Sequence, residues 1–342
     1  WTDLAEPGAQ RACREVVGRV GPEACRCDPR WLTALCRGLH HKPYLLVARQ
    51  DDRCVGMLPL ALIKSRLFGR FLVSLPYVNS AGVVAEEEDV ARALVDRAVE
   101  LADELDVRYL ELRHERPIDH PALGTTLSAK VHMRLPLPGS ADELWKSFKP
   151  KVRNQVRKAE KLGLNVHWNG PELLSEFYAV FARNMRDLGT PVFGRRLFAS
   201  ILAEFSEEAE LGVVRLGRRP VAAGLLVHGN GVTSVPSASS LREYNATNAN
   251  MLIYWHMLQR AIERGQKVFD FGRSSLDSST YRFKKQWGAQ PEPAVWQYYV
   301  RKGTVGEMRI ESGKYDRLIR LWRRLPVGVT RLIGPAIVRG IP

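Results

Sequence analysis

Between Val268 and Gly288 the chain reads VFDFGRSS, LDSST and YRFKKQWG, the stretch whose residue types are best suited to chemistry. VFDF has the period-2 alternation of a short strand, with Val268 and Asp270 on one face and Phe269 and Phe271 on the other. A carboxylate is thereby placed inside a strand, available for accepting a proton or positioning an amine. Its alternative role is structural, as partner to Arg273 or to a backbone amide. Gly272 is expected to end the strand, with Arg273 at its mouth. After a Ser-rich loop come Tyr281, Phe283, Lys284, Lys285 and Trp287, interleaving aromatics and cations at one sheet edge.

A second candidate surface precedes it. In KPKVRNQVRKAEKLG, Pro150 suits the first turn of a helix and Gly163 its close. Val152, Val156 and Ala159 fall on the inner face of that helix. Lys151, Asn154, Lys158 and Lys161 form the opposite row, flanked by Arg153 and Arg157. Such density of positive charge suits a diphosphate or an RNA backbone, which the planar arginine fork binds well; a solvated basic face is the alternative. The charge of the whole chain agrees. Residues 1–140 hold 19 Lys+Arg and 19 Asp+Glu, so the net +14 lies entirely in residues 141–342, and such a field favours phosphate-bearing partners.

These stretches also carry a resemblance. DFGRSS followed by YRFKKQWGA, together with KPKVRNQVRKAEKLG at 149–163 and RDLGTPVF at 186–193, resembles the FemAB-like transferases, particularly the exosortase (PEP-CTERM) group found with exopolysaccharide clusters. The resemblance implies tandem GNAT-like domains and acyl or aminoacyl transfer to an amine. It makes Lys284 the electrostatic stabiliser of the tetrahedral intermediate, Phe283 a pocket wall and Tyr281 an orienter of the leaving group. It also lifts phosphate recognition by Lys151, Arg153 and Asn154 above the bland reading, and places the loop at 189–193 beside the reaction centre. Asp270 is the candidate proton acceptor, with Arg273 and Tyr244 as further substrate-binding candidates.

The elements that must position these residues repeat. PYLLVAR and CVGMLPL read as a hairpin after a helix at 28–40. A strand at 71–75, a loop at 77–82, a strand through Val84, an amphipathic helix over 86–107 and the strand RYLELR follow. LGVVRLG and VAAGLLV form a second hairpin, GVTSVPSAS a strand, NMLIYWHMLQRAIERG a helix closed by Gly265, and VFDF the return strand. YLELR and VFDFGR thus occupy equivalent places, which suggests duplication of one α/β unit. The expected fold is α/β, two tandem GNAT-like domains, each a mixed twisted sheet flanked by helices. Its divisions are 1–138, 139–305 with basic entry helices, and a basic amphipathic segment 306–342. LPLPGS at 135–140 breaks the chain between the domains. Ser140 with Glu143 matches a capping box for a helix from Ala141, and further helices are expected at 172–188 and 195–205.

From Arg317 to Pro342 six arginines and no acid alternate with apolar residues. That segment is too short and charged to span a bilayer. It is expected either to lie on an anionic leaflet or to pack back on the second domain. With no secretory leader pattern and no apolar run near ~20 residues, a cytoplasmic location is expected, peripheral at the inner face of the plasma membrane in the first case. Cys13, Cys25, Cys27, Cys36 and Cys54 lack paired zinc spacing and read as free thiols. The eight histidines are scattered, so no metal is expected, and the serines of GRSSLDSS lack a GxSxG elbow.

Three functions remain in competition. One is Fem-like transfer to a cell-envelope or exopolysaccharide precursor from aminoacyl-tRNA. Another is acyl-CoA-dependent N-acylation, against which stands the turn REYNATNAN, without the glycines that cradle a pyrophosphate. The third is a non-catalytic module binding RNA or membrane. No tightly bound cofactor is expected, only a phosphate-bearing donor or acceptor: tRNA, CoA or a nucleotide-sugar precursor.

Overall fold

The computed structural model describes residues 7–21, 27–65, 68–304 and 316–341. In chain order the helices and strands are α1 (Pro7–Val20), α2 (Arg30–Leu39), β1 (Lys42–Gln50), β2 (Arg53–Ser65), β3 (Gly69–Val73), β4 (Val84–Ala85), α3 (Glu88–Glu104), β5 (Tyr109–His114) and β6 (Thr125–Leu127). There follow β7 (Lys130–Pro136), α4 (Ala141–Ser147), α5 (Pro150–Lys161), β8 (Leu164–Asn169), α6 (Leu174–Leu188), α7 (Arg195–Glu204), β9 (Ala209–Leu216), β10 (Arg219–Gly229) and β11 (Val232–Ser240). Last come α8 (Ala249–Glu263), β12 (Val268–Ser275), α9 (Ser279–Lys285), β13 (Gln290–Pro293), β14 (Val295–Val300), α10 (Asp316–Arg324) and α11 (Val327–Val338).

Two compact units result, each with a seven-stranded mixed sheet. The first sheet has the order β1-β2-β3-β5-β14-β6 with β4 on β2, and the second β13-β7-β12-β11-β10-β9-β8. In each, a hairpin leads to a strand, a helix and a parallel return strand: β3 pairs with β5 and β11 with β12. The expected tandem GNAT-like fold is what the chain adopts.

The divisions differ from those expected. Unit 1 comprises 1–130, 293–314 and 336–342, and unit 2 comprises 131–292 and 315–335. Backbone hydrogen bonding, which sequence order does not reveal, decides this. β14 runs antiparallel to both β5 and β6, so 295–300 completes the first sheet rather than ending the second domain. LPLPGS is likewise only partly a break, because Leu135 and Pro136 close β7. The expected C-terminal segment is divided between the units, and its residues 305–315, like Cys25, lie outside the described residues.

Unit 2 forms around α8, whose Leu252, Ile253, Met257 and Leu258 are buried in one core with Val152, Val156 and Ala159 of α5 and with Phe269 and Phe271 of β12. Val152, Val156 and Ala159 therefore do face inward, leaving the basic row outside. Ser140 caps α4, its Oγ accepting the Glu143 N–H at 3.2 Å. Gly163, Gly189 and Gly265 follow α5, α6 and α8 at φ 77°, 81° and 69°, conformations in which a Cβ is strained.

Candidate active site in the second unit

The parallel pairing of β11 with β12 runs from Val232↔Val268 to Ser234↔Asp270. Asp270 thus sits at the last paired position, and both strands run on, to Ser240 and Ser275. Gly272 does not end β12 as expected. It turns within the strand at φ 77°, and the strand continues for three more residues. Asp270 fastens that turn, its Oδ1 accepting the Gly272 N–H at 2.8 Å, while Oδ2 lies 3.6 Å from Nε of Arg134 on β7. Arg134 also pairs with Glu292. The carboxylate is therefore engaged by an amide, as the structural alternative allowed, and Arg134 is a charged partner that the sequence reading did not name.

After β12 the chain turns back as α9, a helix where the sequence reading placed only aromatics and cations following a Ser-rich loop. Ser278 starts it, its Oγ accepting the Tyr281 N–H at 3.1 Å. Tyr281 and Lys284, three residues apart, share its buried inner face. Trp287, 1% exposed, anchors the end of α9 against the Phe148 ring at 5.2 Å, edge to face. Phe283 is held by the Tyr254 ring at 4.9 Å, and Tyr254 in turn stacks on Phe271 at 5.7 Å. The aromatic stack carries the position of β12 through to α9.

Lys284 is 8% exposed, and its Nζ donates to the carbonyls of Gly272 at 3.1 Å and Arg273 at 3.0 Å. These carbonyls point at it because the Gly272 turn redirects the strand. An ammonium has three N–H donors, so one remains after these two bonds. Burial pushes the Lys284 pKa down to about 8, with the nearby Asp270 charge opposing that shift and Arg273 adding to it. A buried cation of this kind is a donor poised toward developing negative charge.

Beside α9 lies a cavity of ≈ 420 Å³, lined by Lys149, Lys151 and Val152 at the start of α5 and by Ser279, Arg282, Phe283, Lys285 and Gln286 of α9. Four cations and no carboxylate line it, so it suits an anion. A second cavity of ≈ 670 Å³ is lined by Lys151, Asn154, Gln155 and Lys158 of α5 and by Asn248, which precedes α8. Lys151 borders both. Asn248 adopts φ 59° after a 3-10 turn over Arg242–Thr247, in the place where the sequence shows no glycine-rich cradle.

Lys151, Asn154 and Phe283 thus line cavities, whereas Lys284, Asp270 and Tyr281 line neither and are buried at the β12–α9 turn. Arg273 contributes its carbonyl to Lys284. Arg153 is half-buried, lines neither cavity and has an Nε without a hydrogen-bond partner. Tyr244 also lies apart, under the Arg219 guanidinium at 5.5 Å. Spacing alone missed Arg134, because β7 was not recognised, and Lys149 and Arg282, whose convergence with Lys285 depends on two helices meeting. Among the described residues no group of three or more His, Cys, Asp and Glu converges on a metal position.

Residues 146–285, which span α5 through α9, match the family model for the acetyltransferase (GNAT) domain. No curated protein matches the chain in sequence. In structure it is similar to FemX, at 18% identity with a TM-score of 0.66, covering 84% of this chain and 96% of that one. It is also similar to L-PGS from Bacillus licheniformis, at 14% identity and TM-score 0.57 over 96% of this chain and 97% of that one. A tandem GNAT protein from the clavulanic acid biosynthesis pathway aligns at 15% identity and TM-score 0.54, over 88% of this chain and 97% of that one. The chain has the FemAB-like tandem GNAT fold, and its GNAT domain contains the whole β12–α9 site. The matched domain supports acyl transfer in general.

Proposed function

We propose that the protein transfers an acyl or aminoacyl group from a phosphate-bearing activated donor to an amine of a cell-envelope or exopolysaccharide precursor. The observation that carries this reading is Lys284, a buried ammonium held on two carbonyls within β12 and carried by α9, whose neighbouring residues line a cationic cavity. Attack of the amine on the donor carbonyl forms the C–N bond and an oxyanion, to which Lys284 offers its third N–H. Collapse breaks the ester or thioester bond, and the amine proton ends on the leaving hydroxyl or thiol. Alignment of the two substrates supplies much of the acceleration. Asp270 acts here as a positioning residue: it fixes the Gly272 turn on which Lys284 rests, and its charge favours the ammonium.

Lys149, Lys151, Arg282 and Lys285 bind the donor's phosphates, and Phe283 forms an apolar wall beside them. An aminoacyl-tRNA donor is supported by the Fem-like motifs at 149–163 and 270–289 and by the likeness to FemX. The acetyltransferase description of the matched domain favours acyl-CoA as the second reading. A screen of labelled aminoacyl-tRNA and acyl-CoA, each offered with amine acceptors, decides between them. Transfer from the first and not the second supports the Fem-like reading, and the reverse pattern assigns the protein to N-acylation from CoA. Transfer from neither, with retained RNA or vesicle binding, contradicts catalysis.

A further inference from the structure

Five of the nine large apolar side chains exposed among the described residues fall between positions 318 and 333. They are Leu318 (61% exposed), Leu321 (59%), Val329 (41%), Leu332 (80%) and Ile333 (39%). On α10 the two leucines are three residues apart. On α11 Val329, Leu332 and Ile333 follow at i, i+3 and i+4, so each helix turns one apolar stripe to solvent. Isolated exposed leucines are ordinary, but a cluster of them marks a contact surface.

The opposite faces are already committed to unit 2. Ile319 lies so close to Gly189 that a Cβ there would meet its Cγ2 at 2.5 Å, and Arg323 donates to the Leu188 carbonyl at 3.1 Å. Arg186 donates to the Leu325 carbonyl at 3.2 Å, and Gly334 packs against Val192. These contacts orient both helices and leave the stripes outward. Arg317, Arg320, Arg324 and Arg331 are exposed on the same segment, and between 316 and 335 the one acid is Asp316.

We propose that α10 and α11 form a surface that lies on a bilayer rich in anionic phospholipid. Its leucines enter the boundary between headgroups and acyl chains, and its arginines meet lipid phosphates. The pairing of apolar stripes with unopposed positive charge selects this occupant. A nucleic-acid strand satisfies the arginines but offers the leucines no apolar partner. A second copy of the chain covers the leucines while bringing arginine against arginine. No described helix is long and apolar enough to cross a membrane, which agrees with a segment that lies on the surface. The inference is independent of the transfer chemistry, since none of these residues borders the β12–α9 site.

The test is co-sedimentation of the full chain with vesicles of phosphatidylcholine alone or mixed with phosphatidylglycerol. The expected result is binding to the mixed vesicles, little to phosphatidylcholine, and weakening with salt. Leu318→Asp combined with Leu332→Asp lowers partitioning by about tenfold or more. Arg320→Gln with Arg324→Gln removes the preference for phosphatidylglycerol. Circular dichroism checks the fold, and Leu318→Ala with Leu332→Ala supplies a graded loss should the aspartates unfold the segment. Absence of vesicle binding by the wild-type chain overturns the proposal. So does a leucine variant that binds as wild type while the arginine variant does not, which describes a site for any polyanion such as RNA. Conversion of a solution dimer to monomer by the leucine variant, with vesicle binding unchanged, assigns the face to self-association and also overturns it.

Discussion

At the scale of single residues the proposed chemistry rests on Lys284. Its pKa of about 8 lies below the ordinary 10.5, so between those values the unfolded chain holds a proton that the folded chain has released. Stability therefore rises with pH across that window, and the cost of the buried charge is fully present below about pH 8. Activity has the opposite trend if the ammonium is the working form: turnover under saturating substrates falls as pH rises through about 8. A pH–rate profile checks this, and a rise over the same range would make Lys284 a base instead. The sequence disclosed the residue types here but not their partners. Asp270 was legible as a carboxylate inside a strand with a backbone amide as one possible partner; that Arg134 also faces it was not, since that contact depends on tertiary pairing.

At the scale of elements, the β12–α9 turn and the start of α5 make the site. Gly272→Ala places a Cβ on a left-handed residue and is expected to cost about 1–2 kcal/mol, seen as a lowered denaturation midpoint. Turnover falls with it, since the carbonyls under Lys284 move. The cavity between α5 and α9 yields a separate expectation. Lys151→Ala combined with Arg282→Ala weakens donor binding and lowers the salt slope by about one for each phosphate left unneutralised. An unaltered slope in a salt titration returns α5 to the role of a solvated basic face. Elements with strong periodicity were readable, α5, α6 and α8 with their glycine stops and α3 from its apolar stripe alone, as were the two hairpins. β7, β13 and β14 were not, because short strands beside proline and glycine carry little periodicity and gain their identity only from neighbours. α9 was hidden by its Ser-rich approach, although Ser278 caps it.

At the scale of the whole molecule, the duplication shows in matching positions within each unit. Glu111 pairs with Val73 and Asp270 with Ser234, each at the last parallel pair of its sheet. Glu111 is enclosed by Arg113, 2.7 Å from its Oε1, and by the Tyr298 hydroxyl at 2.9 Å. In unit 2 a lysine, Lys284, binds the backbone of β12 just past that position. Because β14 supplies that tyrosine and pairs with β5, a chain ending at Glu292 is expected to lose the ordered first unit, with near-UV circular dichroism and cooperative unfolding both diminished. Persistence of both would contradict the strand assignment. The central claim, that Lys284 stabilises the charge formed during acyl transfer, is tested most directly by the single-turnover rate of Lys284→Met with donor already bound. A fall of about 10²-fold or more, with donor affinity unchanged, is the expected result; a rate equal to that of the wild-type chain would contradict the account.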